Sequence, residues 1–246
     1  MARQRLDLAL VERKLVASRS QAENWIRLGK VTVNGKVITK GGFSVVENAK
    51  VSLNTTEQYV SRAGLKLASV ASALHISFKD KIVLDVGSST GGFTDYALQH
   101  GATKVIAVDV GTDQLHPSLR QHPRIELYEK TDIRKLNSEQ PNTPKLAEPP
   151  EIIVIDVSFI SLRDILPHIA ATIADKHTHV IAMVKPQFEA GKQQINKGII
   201  KNDTVRRAVL RDFEIWVKNV FTIVDKADSE VSGAKGNRER FYDLVL

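Results

Sequence analysis

The chain has 246 residues, 42% hydrophobic and 26% charged, sufficient for one large domain or a large domain with a small appendage. It contains no cysteine, which excludes disulfides, thiolate metal sites, iron–sulfur clusters and any mechanism with a cysteine nucleophile. The formal net charge of +7 is concentrated at the front: residues 1–57 carry ten Lys/Arg against five Asp/Glu, and the other 189 carry 25 against 23. A compact basic module points to a polyanion such as nucleic acid. No apolar run approaches the ~18 residues of a membrane span, and the N-terminus lacks the apolar core of a signal peptide, so a cytoplasmic protein without membrane attachment is expected. The seven histidines are scattered, and the closest pair, His177 and His179, has no third ligand nearby; no metal site is expected.

Residues 5–15 place Leu6, Ala9, Leu10 and Arg13 at helical intervals, giving an amphipathic helix with a basic outer face. A second helix is predicted from Ser18, where Ser18 and Gln21 have the spacing of a capping box, to Gly29, a residue suited to a left-handed C-terminal position. Val31–Val33, the turn pair Asn34–Gly35 and Lys36–Ile38 then read as a hairpin. Two short helices and a small sheet, lined by Arg5, Arg13, Arg19, Arg27, Lys30 and Lys36, resemble the α-L RNA-binding motif of a small-subunit ribosomal protein and several pseudouridine synthases. That resemblance implies RNA contact through these six residues. This α+β domain is expected to cover residues 1–57, followed by a linker at 58–61.

Residues 62–246 alternate helix and strand. A helix at 63–75 precedes apolar strand candidates at 81–86, 104–109, 151–156, 179–184 and 219–224, with helices at 92–100, 161–174 and 203–217 and a final strand at 241–246. Near-continuous apolar strands separated by helices predict a mostly parallel sheet covered on both faces. The segment 137–150, with four prolines, reads as a surface loop.

In such a sheet a ligand sits beyond the carboxyl ends of the strands, where the stretch Lys81-Ile-Val-Leu-Asp-Val-Gly-Ser-Ser-Thr-Gly-Gly-Phe-Thr-Asp95 makes its turn. A dinucleotide fingerprint needs glycine where Ser89 stands, and no phosphate-loop lysine opens the helix. The arrangement Asp85-x-Gly87-x-x-x-Gly91-Gly92 instead resembles the first motif of class I S-adenosylmethionine-dependent methyltransferases, whose cationic ligand welcomes an acidic residue. The resemblance implies a Rossmann-like seven-stranded, mostly parallel sheet, with Asp85, Gly87, Ser89, Gly91, Gly92, Phe93, Asp109, Val110, Asp132, Ile133 and Asp156 around the cofactor. Within that set Asp109 would accept the ribose hydroxyls and Asp132–Ile133 would hold the adenine edge.

At the strand end where methyltransferases of exocyclic base amines carry Asn/Asp-Pro-Pro-aromatic, this chain has Asp156-Val-Ser-Phe159, which disfavours amino methylation. Methylation at carbon five of pyrimidines and radical routes both need cysteine, so an oxygen nucleophile remains. A ribose 2′-hydroxyl has to be oriented and relieved of its proton, which a lysine can do when a second cation and partial burial favour its neutral form; Lys185, in "MVKPQFE", and Lys66 are assigned to these two places by the resemblance that follows. The order of an α-L module, Arg62-Ala-Gly-Leu-Lys66, the glycine loop, Asp156-Val-Ser-Phe-Ile-Ser-Leu162, Val184-Lys-Pro-Gln-Phe-Glu189 and Gly236-Asn-Arg-Glu239 resembles the TlyA family along essentially the whole chain. That family is similar to the FtsJ 2′-O-methyltransferases and is known for ribosomal RNA cytidine 2′-O-methylation, often under a hemolysin label. The resemblance implies a catalytic set of Lys66, Asp156, Lys185 and Glu239, S-adenosylmethionine as cofactor, ribosomal RNA as partner and no metal. The chain ends at Leu246, whereas members that modify both ribosomal subunits carry a tail beyond the last strand, which points to large-subunit RNA. Glu57-Gln-Tyr-Val60 replaces the Arg-Ala-Trp-Val of some members at the linker. A non-catalytic ribosome-binding assembly factor and a membrane-lytic hemolysin remain alternative readings.

Overall fold

The computed structural model describes residues 3–16, 19–27, 29–54, 59–137, 143–191, 199–200, 202–233 and 236–246. The chain divides into two compact units, Met1–Arg62 and Ala63–Leu246.

In the first unit β1 (Arg3–Arg5) leads into α1 (Leu6–Glu12), α2 (Arg19–Arg27), β2 (Val31–Val33), β3 (Lys36–Val37), β4 (Ser44–Val46) and β5 (Val51–Leu53). Leu6, Ala9 and Leu10 of α1 and Ala22, Trp25 and Ile26 of α2 are buried, so the two helices bury the apolar faces that their periodicity defines. β1 pairs antiparallel with β4, and β2 lies between β3 and β5. Asn34 and Gly35 both take positive φ, as the short hairpin turn requires. The first helix is shorter than the expected 5–15: Arg5 is already strand, because its backbone pairs with Ser44. The expected start of the second helix, at Ser18, lies outside the described residues.

In the second unit α3 (Arg62–Ala71) precedes β6 (Ile82–Val86), α4 (Gly92–Gln99), β7 (Lys104–Val108), α5 (Pro117–Arg120), β8 (Ile125–Tyr128), β9 (Ile152–Ile155), α6 (Leu166–Thr172), β10 (His179–Val184), α7 (Pro186–Glu189), α8 (Asp203–Val217), β11 (Thr222–Asp228) and β12 (Arg240–Val245). Among the described residues these strands form one seven-stranded sheet in the order β11-β12-β10-β9-β6-β7-β8. β10, β9, β6, β7 and β8 run parallel, and β12 and β11 add an antiparallel edge. Every residue of β9 is buried, as expected of a central strand covered on both faces. The core joins Leu84, Ile106, Ile153 and Val180 of the sheet to Leu166 and Ile169 of α6 and to Leu210 and Phe213 of α8. Each such side chain contributes ~1.5–3 kcal/mol on burial.

Three expectations need correction. β8, absent from the strand candidates, is a four-residue edge strand of half-buried residues beside β7, so its alternating Ile125-Glu-Leu-Tyr128 lacks the apolar run of a central strand. The expected helix 161–174 is a 3₁₀ turn at Leu162–Asp164, capped by Ser161 Oγ, followed by α6 with Pro167 in its first turn. The strand expected at 219–224 begins at Thr222, because Asn219, Val220 and Phe221 still donate to carbonyls of Trp216 and Val217 at the end of α8.

Candidate functional site

The turn after β6 is shaped by two left-handed glycines. Gly87 has φ +80°, and a Cβ there would come within 2.8 Å of the Asp156 carbonyl oxygen, so only glycine lets the turn pass the end of β9. Gly91, at φ +90°, would drive a Cβ into the side chains of Leu119 and Leu115 at 2.5 and 2.7 Å. Ser89, where a dinucleotide fingerprint wants glycine, also takes φ +48°, and its N–H donates to Asp109 Oδ2 at 2.8 Å. Asp109 Oδ1 accepts from Gly111 N at 2.7 Å, so this carboxylate is fixed by two backbone amides beyond the end of β7.

Asp85 is fully buried. Its Oδ2 accepts from Thr94 Oγ1 at 2.6 Å, while its Oδ1 has no hydrogen-bond partner, and neither has the buried Ser88 Oγ. Burial pushes the Asp85 carboxyl up to about 7, against the Thr94 hydrogen bond and reinforced by the charges of Asp156 and Asp109. An unmatched buried carboxylate oxygen is costly unless a cationic ligand meets it.

Two cavities open at the carboxyl ends of the strands. The larger, of about 500 Å³, is lined by Gly87, Ser89, Asp109, Val110, Asp132 and Ile133 among others. Asp132 caps the turn that follows it and pairs with Arg134 at 2.6 Å; chiefly the Arg134 hydrogen bond holds its carboxyl below the usual range. The smaller, of about 140 Å³, is lined by Asp85, Ser88, Phe93, Asp156, Ser158 and Lys185 among others. Phe93 is almost wholly buried and packs 6.0 Å from Phe241, so it serves mainly as core. Gly91 and Gly92 line neither of these cavities; Gly91 lets α4 start close to Leu115 and Leu119.

Lys185, just past β10, is nearly buried, and its Nζ lies 2.6 Å from Asp156 Oδ1 and donates to Ser158 Oγ at 2.7 Å. A second buried pair joins Lys66 Nζ of α3 to Glu239 Oε2 at 2.5 Å, immediately before β12. The loop carrying Asp156 and Ser158 is tied to the loop carrying Lys185 by Glu189, whose carboxylate accepts from Ser161 Oγ at 2.6 Å and Leu162 N at 2.8 Å. Thus all four members of the expected catalytic set are engaged in two Lys–carboxylate pairs, of which Lys185–Asp156 lines the small cavity.

Sequence reasoning missed Ser158, whose role depends on β9 and β10 being neighbours, and Phe159. The latter is 91% exposed, takes φ +66° and lies 5.3 Å from the Phe188 ring. Its only signal is an aromatic residue within "DVSF".

In the first unit Arg27, Lys30 and Lys36 are exposed. Arg13 is not a free surface cation: Nη1 donates to Ala49 O at 2.7 Å and Nη2 to Glu47 O at 2.9 Å, so it staples α1 to the turn after β4. Arg5 and Arg19 both hydrogen-bond Asp7 and keep about half their side-chain surface exposed.

Two family models match: an FtsJ-like methyltransferase at residues 59–244 and an S4 domain at residues 4–51. Hemolysin A of Brachyspira hyodysenteriae is 38% identical over 98% of this chain and 100% of its own. The 23S rRNA (cytidine-2′-O)-methyltransferase TlyA of Campylobacter jejuni is 38% identical over 96% of this chain and 97% of its own. A solved structure of a Streptococcus thermophilus protein named for hemolysin superposes with a TM-score of 0.70 at 37% identity, covering 100% of this chain and 89% of that one. With a cofactor-type glycine turn, two Lys–carboxylate pairs and these relatives, the chain belongs to the FtsJ-like methyltransferase family and carries an S4 domain at its N-terminal end.

Proposed function

We propose that the protein transfers a methyl group from S-adenosylmethionine to the 2′-hydroxyl of a cytidine in ribosomal RNA. The single observation that carries this reading is Lys185, held by Asp156 and Ser158 in the cavity that Asp85 and Ser88 also line. The residues fit the cofactor. Asp85 Oδ1 and Ser88 Oγ offer a carboxylate oxygen and a hydroxyl, both without partners, to an ammonium group. Asp109 Oδ1 and Oδ2 each accept one amide and have a lone pair left for ribose hydroxyls, while Val110, Asp132 and Ile133 line the wall suited to adenine. S-adenosylmethionine supplies an electrophilic methyl carbon on a sulfonium.

The protein's task is then to place the ribose oxygen and take its proton. As the amine, Lys185 Nζ has two N–H groups, one facing Asp156 and one Ser158, and a lone pair left for the proton of the incoming 2′-hydroxyl. As that oxygen bonds to the methyl carbon and the carbon–sulfur bond breaks, leaving its electron pair on a neutral thioether, the hydroxyl proton passes to the Nζ lone pair and Asp156 stabilises the ammonium that results. The Lys66–Glu239 pair adds a second buried cation and anion. The exposed ring of Phe159, beside the same loop, provides a face on which an unstacked base can rest. The basic first unit grips structured RNA through phosphates. No helix among the described residues is long and apolar enough to cross a membrane.

The test is transfer of labelled methyl from S-adenosylmethionine to ribosomal subunits lacking the modification, with wild type beside Lys185→Ala. The expected result is label at one site that resists alkaline cleavage and is lost in the variant. Cofactor binding without transfer to either subunit would overturn the assignment in favour of a ribosome-binding factor.

A further inference from the structure

The basic first unit holds a buried carboxylate between two arginines. Asp7, in the first turn of α1, has no exposed surface. Its Oδ1 accepts from Arg5 Nε at 3.0 Å and from Leu8 N at 3.0 Å, and its Oδ2 accepts from Arg5 Nη2 and Arg19 Nε, both at 2.8 Å. Its own N–H donates to Gly41 O at 3.2 Å, and Leu6 N donates to Phe43 O, so the turn at 40–43 closes over this end of the helix. A Cβ on Gly42 would touch the Arg5 guanidinium at 3.6 Å, and one on Gly41 would press on Glu23 Cγ at 3.3 Å. The hydrogen bonds from Arg5 above all, with those from Arg19, hold the Asp7 carboxyl far below the usual range.

The outcome is geometric. Arg5 and Arg19 lie in different elements, fourteen residues apart, yet share one carboxylate. Each guanidinium has five N–H groups, of which Arg5 gives two and Arg19 one to Asp7, while about half of each side chain stays open to solvent. Asp7 and the half-exposed Glu23, 4.0 Å from Arg5 and 3.8 Å from Arg19, cancel the charge of the two arginines. Attraction by net charge is therefore weak at this spot, and what remains is a pair of forks already fixed in place, the arrangement that planar phosphate recognition rewards.

We propose that Asp7 is a positioning residue for RNA: it holds Arg5 and Arg19 together as a preformed clamp for backbone phosphate, and its own negative charge strengthens binding. This rests on the reading of the first unit as RNA-binding. Charge counting and positioning give opposite signs for one substitution. Asp7→Asn raises the net charge by one and, on charge alone, should tighten binding; loss of the clamp leaves two side chains to be ordered on binding and should weaken it about tenfold.

The experiment measures affinity of the full-length protein for in-vitro-transcribed 23S ribosomal RNA at several potassium chloride concentrations, with wild type, Asp7→Asn and Glu23→Gln. The expected result is weaker binding and a shallower salt slope for Asp7→Asn, against unchanged or tighter binding for Glu23→Gln. Tightening of both variants alike would overturn the proposal while leaving RNA binding intact. Wild-type affinity that ignores salt would instead overturn the RNA reading of the unit. If Asp7→Asn loses the thermal transition of the first unit, Arg5→Lys and Arg19→Lys decide the matter at constant net charge: weakening of each by about threefold or more supports the clamp, and unchanged affinity refutes it.

Discussion

Replacing Asp85 by asparagine separates the two demands on this buried carboxyl. In the free protein burial raises it from 3.8 to about 7, a displacement of roughly three units, and each unit corresponds to about 1.4 kcal/mol. Ionised Asp85 therefore costs the folded protein up to about 4 kcal/mol. The stability that its neutral form contributes is complete below pH 3.8, declines as pH rises and is lost above about 7. A bound ammonium group reverses the balance, because it meets the ionised carboxylate. Cofactor affinity should then rise with pH from 6 to 8, and binding near pH 7 should release about half a proton from Asp85. Calorimetric titration with S-adenosylhomocysteine, in two buffers of different ionisation enthalpy, measures this release directly. Asp109, Asp156 and Lys185 also face these cavities, so the control is Asp85→Asn in the same buffers. The variant should melt higher than wild type at pH 8, bind the ligand more weakly and lose the proton release. Affinity that stays flat across this range in wild type, or proton release that survives the substitution, would refute the reasoning.

Gly87→Ala should lower the melting temperature of the second unit by several degrees, since it combines a left-handed backbone with a 2.8 Å approach to the Asp156 carbonyl, a cost of roughly 2–4 kcal/mol; thermal denaturation measures it. Arg13→Ala should destabilise the first unit by about 1–3 kcal/mol by leaving the Ala49 and Glu47 carbonyls without their donor, whereas Arg27→Ala should leave stability unchanged and reduce the salt slope of RNA binding by about one. Phe159→Gly removes a 91% exposed ring from a left-handed position, so stability should hold or rise while methyl transfer falls about tenfold or more, as read by single-turnover assay.

Much of the architecture is local in origin. The near-continuous apolar runs at 82–86, 104–108, 152–155 and 179–184 become the buried parallel strands because a strand covered on both faces buries successive side chains, whichever face each points to. The glycine turn could be recognised because φ values near +80° and +90° and close backbone approach leave glycine as the unstrained residue. Resemblance to a known family, rather than spacing, singled out Lys66, Asp156, Lys185 and Glu239. Tertiary structure decided the rest. β8 depends on pairing with β7, since its half-buried residues carry no apolar run of their own. Ser158 reaches Lys185, Arg13 reaches Ala49 and Arg19 reaches Asp7 across 27, 36 and 12 residues. The elevated carboxyl of Asp85 comes from complete burial, which no local sequence pattern encodes. Local pattern determines which segments are strands, helices and turns, because backbone sterics and the periodicity of apolar burial act over a few residues. Which charges are paired, neutral or left open is set only when distant segments pack, because desolvation and hydrogen bonding depend on every group that arrives at the same place.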